Sequence, residues 1–244
     1  MIEPWLEEAV KACGLEPPSS FPRDLMAQLP WLPFPAEAVG LPGLSPEAMR
    51  AWLARRGIRR RVFDDSHGLK GCMVADHDRR CIVFYDNRQE RSELRFTIAH
   101  ELSHFVLEEW LPRRKASRVL GDPIRAVFDG ERAPTTDESV TALFERVPLG
   151  PPVDLMARDA VGHYANQAII EAEHRADRMA LELLAPAEFV LPLVADVSED
   201  EARGRLVFSF GLPWDMARAH VVWLRERLRA PRFSIDSFLG QEGE

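Results

Sequence analysis

The chain has 244 residues, 46% hydrophobic and 29% charged, a composition that suits a globular protein with one good-sized core. Its formal charge of −8 argues against a surface built to grip phosphates, so no direct nucleic-acid binding is expected. No run of about 18 apolar residues occurs, so no membrane-spanning helix is expected either.

Residues 1–8 lack the basic stretch and apolar core of a secretory signal. Cys13, Cys72 and Cys81 are irregularly spaced with no Cys-x-x-Cys pair, which fits free thiols in a reducing cytoplasm. Prolines crowd residues 1–44 and predict short helices and turns, packed as an N-terminal arm on a main domain over 45–230. Ser45 followed by Pro46 marks a helix start, and Gly57 its end. Short strands are expected at 61–63, 71–74 and 81–85, with a polar hairpin turn at 76–79. Asn87 and Glu90 have the spacing of a capping box, before a long helix over 88–110 that Pro112 should stop. Residues 113–160 read as an irregular insertion with one helix near 137–146. Its length and polarity suit a lid or partner-recognition element. Apolar residues at helical spacing predict further helices over 164–185 and 213–229, before a loose tail at 231–244. Strands followed by helices in this order make an α+β fold.

The informative segment is Phe96-Thr97-Ile98-Ala99-His100-Glu101-Leu102-Ser103-His104. Residues four apart on a helix lie about 40° apart, so His100 and His104 project from one face toward a common ion. Glu101 lies beside that face, where a carboxylate can take a proton from the attacking water rather than bind the metal. Zinc in a hydrolytic site needs a third protein ligand and an open position. Leu107 and Trp110 stand where a metzincin would have Gly and His, which removes that class. Glu108 and Glu109 should point along the axis, away from the site. In the later helix, Glu173 and Asp177 share a face with Ala176 and Ala180, suiting Glu173 as ligand and Asp177 as acceptor for a ring N–H of a ligating histidine. Glu171 is the rival donor, about 160° from Glu173 on the wheel. His163 and Tyr164 could stabilise an oxyanion. His67, His77 and His174 are weaker candidates, and the 113–115 basic run reads as a solvated helix end.

The first motif, with Glu173-x-x-Ala176-Asp177-x-x-Ala180-x-x-Leu183-Leu184-x-Pro186 after it, resembles the ImmA/IrrE metallopeptidases over roughly 45–112 and 165–228. The resemblance implies a small thermolysin-like (gluzincin) fold holding one Zn2+ per chain on His100, His104 and Glu173. It also implies a helix-turn-helix repressor as the protein substrate, cut to relieve repression. Asp177 stands where the family usually has Asn, Met179 and Ala185 where it has Phe and Met, and His220 where an Arg is common. The span from His104 to Glu173 is longer than the family's. Two other readings stay open: a metal-containing protein that sequesters a repressor without cutting it, and a zinc hydrolase acting on a small amide. Substrate alignment along the strand at 81–85 is expected in the peptidase reading.

Overall fold

The computed structural model describes residues 3–58, 62, 69–76, 80–145, 147, 149 and 167–229. Helices α1 (Pro4–Ala12) and α2 (Leu25–Gln28) precede strand β1 (Ala36–Leu41) and helix α3 (Pro46–Arg55). Ser45 caps α3 by accepting from the Ala48 N–H, as its position before Pro46 predicts. Strands β2 (Gly71–Ala75) and β3 (Cys81–Asp86) pair antiparallel, and β1 pairs with β3 in parallel, giving the order β1-β3-β2. The fold is α+β.

β1 corrects the expectation of turns throughout 1–44. Each of its residues is only half-buried, so no alternation marks it in the sequence, and its order comes from distant pairing with β3. The preceding segment is also more than an arm. Leu6, Ala9, Leu25, Leu29 and Phe34 are buried in the same cluster as the helices that follow. Of the strand expected at 61–63 only Val62 is described, and the tail at 231–244 lies outside the described residues.

Side chains alternate across the sheet with period two. Cys72, Val74, Ile82 and Phe84 pack with Met49, Trp52 and Leu53 of α3, while Met73, Ala75, Cys81 and Val83 face the other layer. That layer is α4 (Arg91–His104), which buries Ile98, Ala99 and Leu102. A π-helical turn (Phe105–Trp110) joins α4 to α5 (Leu111–Leu120), followed by α6 (Arg125–Phe128) and α7 (Thr136–Phe144). Helix α8 (Gln167–Leu184) then lies along α4, and α9 (Ala187–Val194), α10 (Glu199–Phe210) and α11 (Trp214–Arg229) complete the chain described. Buried Ala176 and Ala180 on α8 let the α4 and α8 backbones approach closely. Each buried Leu or Ile at this seam contributes about 1.5–3 kcal/mol through removal from water.

Two expected helix ends move. Helix α4 starts at Arg91 with no side-chain cap, because the Asp86 carboxylate draws the Arg88 N–H and guanidinium into a turn. Pro112 does not stop the helix. The π-helical turn widens the backbone just before it, and Pro112 falls in the first turn of α5, where a missing N–H is tolerated. The basic run is therefore inside α5: Arg113 pairs with Glu109 and Asp129, and Lys115 with Glu8. Helix α7 matches the expected one, with a capping box between Thr135 and Glu138. Ala116, Ile124, Ala142 and Val147 form a small apolar core within this insertion.

Candidate metal centre

His100 and His104 leave α4 one turn apart, and their Nε2 atoms face each other at 3.0 Å. From α8, the Glu173 carboxylate reaches both rings, with Oε2 at 3.4 Å from His100 Nε2 and Oε1 at 3.5 Å from His104 Nε2. These three donors form a cluster that could hold a metal ion. Ligands about 2.05 Å from a tetrahedral zinc are separated by roughly 3.3 Å, so the observed spacings fit such an ion closely. Without a cation to share, two imidazole nitrogens at hydrogen-bonding distance require one ring to donate to the other.

Asp177 accepts from His100 Nδ1 at 2.9 Å, which fixes the ring and leaves Nε2 for the cluster. His104 Nδ1 is buried without a hydrogen-bond partner among the described residues. Burial opposes a charge on His100, but the Asp177 and Glu173 carboxylates outweigh it and lift its pKa to about 10. Burial also acts against a charged Glu173, yet its bonds to the two histidines hold its pKa well below the carboxylate range. The two histidines and two carboxylates thus titrate as one coupled cluster. Glu171 and His174 are exposed, so neither competes with Glu173. Glu109 is taken up by Arg113, and half-buried Glu108 lies within electrostatic range of Arg175 and His104. His163, Tyr164, His67 and His77 lie outside the described residues.

Glu101 stands outside the cluster of three donors and turns toward β2, where the Met73 N–H donates to its carboxylate. Burial raises its pKa, and the nearby histidines only partly oppose this. The close approach depends on Gly71, which the sequence reading did not single out. A Cβ there would come within 2.5 Å of Thr97 Cγ2 and 2.8 Å of Glu101 Oε1. A glycine opening a strand is a sequence signal for such an approach. Gln89 fastens the same corner, donating to the Lys70 carbonyl at 2.9 Å and accepting from Thr97 Oγ1 at 2.8 Å.

The expectation that the strand at 81–85 aligns a substrate fails, because β3 is central and both its edges are paired. Among the described residues β1 and β2 are the two edge strands, and β2 is the one beside Glu101. Asp86 N–H donates to Lys70 and Asp76 N–H to Arg80, so even-numbered positions of β2 bond to β3. Gly71, Met73 and Ala75 therefore turn their N–H and C=O groups away from β3, beside Glu101.

His220, for which no role was expected, is fully buried in α11 and donates from Nε2 to the Ala185 carbonyl at 2.8 Å. It is a core residue, distinct from the cluster. Compared with protein-family models, curated proteins and solved structures, the chain matches none of them. No helix among the described residues is long and apolar enough to cross a membrane.

Proposed function

We propose that this chain is a cytoplasmic zinc-dependent endopeptidase of the ImmA/IrrE type, with the small thermolysin-like fold that the resemblance implies. Its substrate in this reading is a helix-turn-helix repressor, whose cleavage relieves repression. The observation that carries the proposal is the meeting of His100, His104 and Glu173 at ligand spacing, with Glu101 beside them and outside the donor set.

His100, His104 and Glu173 would hold the zinc, which would supply Lewis-acid chemistry for a peptide carbonyl and lower the pKa of a bound water toward about 7. Glu101 accepts the proton of the attacking water and passes it to the leaving amine as the C–N bond breaks. Asp177 keeps His100 in the tautomer that presents Nε2. The open edge of β2 aligns an extended peptide by strand addition, with Glu101 at its side. The insertion over 113–160 controls access, since it joins the two helices that carry the ligands.

The test uses zinc-loaded protein with helix-turn-helix repressors from the same genome, read by mass spectrometry of fragments. Glu101→Gln should retain zinc and fold while cleavage falls by about a thousandfold or more. A Glu101→Gln protein that relieves repression in cells at the normal level would instead establish sequestration.

A further inference from the structure

A second site lies on the far side of α4. A pocket of about 260 Å³ opens between α2 and α4, lined by Arg23, Arg91 and Arg95 together with Leu25, Leu94 and Ile98. Successive helix positions turn by about 100°, which places Arg91, Arg95 and Ile98 nearly half a turn from His100 and His104. The pocket and the metal cluster thus occupy opposite faces of one helix.

Its positive charge is only partly compensated. Arg23 is 4% exposed, and among the described residues its guanidinium bonds only neutral oxygens: the carbonyls of Leu183 and Glu16, and the Gln28 side chain. Arg95 donates to the Gly211 carbonyl at 3.3 Å, while its Nε is buried with no partner among the described residues. Arg91 and Arg95 are four apart on α4, a spacing at which like charges repel. The one acid lining the pocket, Asp24, caps α2 through the Ala27 N–H and offsets part of the charge on Arg95. Three guanidinium groups face one carboxylate around this space, so a further anion would be attracted to it. The remaining walls are largely aliphatic, so the complementary ligand has an apolar body as well as an anionic head.

We propose that this pocket binds a small aliphatic carboxylate, with its head group bridging Arg91 and Arg95 and its chain lying against Leu25, Leu94 and Ile98. Planar guanidinium groups match a carboxylate in two-point hydrogen bonds, and the aliphatic walls exclude water from the chain. The proposal is independent of whether the chain is a peptidase.

Octanoate is the probe, titrated calorimetrically into the full-length protein, with 1-octanol and inorganic phosphate as comparisons. Saturable binding of octanoate is expected, with octanol and phosphate each weaker by about tenfold or more. Arg91→Gln, at an exposed position, and Arg95→Gln should each weaken octanoate by about tenfold, with unchanged circular dichroism and zinc content. Met26→Trp, which fills the pocket from its rim, should block binding without touching an arginine. Absence of saturable octanoate binding, or binding unchanged in Arg91→Gln, would overturn the assignment. Phosphate binding as tightly as octanoate would overturn the choice of an amphiphilic ligand.

Discussion

Helix α8 has a histidine packed on each side, His100 half-buried and His220 fully buried, and the two have opposite characters. His100, in the seam with α4, faces the Glu173 and Asp177 carboxylates, which carry its pKa up to about 10 against the effect of burial. His220, in the seam with α11, is desolvated and then faces a carbonyl and the positive charge of Arg227, and its pKa falls to about 4. Burial alone therefore does not mark a candidate metal ligand. What marks it is burial together with carboxylates that favour a positive charge, which an ion can replace.

Removing a donor from the first seam is the most severe way to break this contrast. His104→Ala or Glu173→Ala should abolish stoichiometric zinc, measured by metal analysis of purified protein, while His220→Gln should leave zinc content intact. If Glu173→Ala keeps full occupancy, the third donor is assigned wrongly. Asp177→Ala sharpens the point, because it leaves all three donors in place and removes only the partner that orients His100. Its zinc affinity should fall about 10–100-fold in competition with a chelator, and Asp177→Asn should recover much of the loss.

Gly71→Ala probes the strand side of the site. The added methyl meets Thr97 and Glu101 rather than any zinc donor, so zinc should remain. Displacement of Glu101 should lower cleavage by about tenfold to a hundredfold, measured as kcat. An unchanged rate with normal zinc would show that Glu101 has no fixed relation to β2.

The pH dependence of stability sharpens the second seam. The folded-state pKa of His220 is depressed, so the unfolded chain binds its proton more readily. The stabilising contribution is therefore complete above the unfolded value near 6.5 and is lost as pH falls toward about 4. Over that window the loss amounts to about 3 kcal/mol. His220→Gln should flatten this part of the urea-denaturation profile, and an unaltered slope would mean that another group titrates there.

The legible parts of the molecule were those written in local spacing. His100, Glu101 and His104 follow from residues four apart on one helix, and β2 and β3 follow from apolar runs around a polar turn. That Asp177 accepts from one of the two histidines was also readable, because Glu173 and Asp177 share a helical face; that it is His100 comes from the packing of α8 on α4. Glu173 itself became distinguishable from Glu171 through the wheel and the family resemblance, and the exposure of Glu171 agrees. Features made by distant contacts were not legible. β1 owes its order to β3, and the role of Gly71 appears only once Glu101 is packed against it. Helix α10 is absent from the expected elements although its signals are local: Ser198 caps it, three acids follow, and Ala202, Leu206 and Phe210 recur at every fourth position. The pocket beside α2 drew no attention because Arg23 and Arg91 are far apart in sequence.

The π-helical turn after His104 has a consequence for how the molecule tolerates change. Such a turn holds one residue more than the α-helix on either side, which shifts the phase of everything downstream by about 100°. Phe105, Val106 and Leu107 can therefore be buried in succession, and Glu109 still meets Arg113. Loss of a single residue from this turn would return the helix to uniform winding and swing α5 and the insertion to a new azimuth, while the two histidines kept theirs. The turn separates the frame that holds the candidate ligands from the frame that aims the insertion, so the two can vary without disturbing each other.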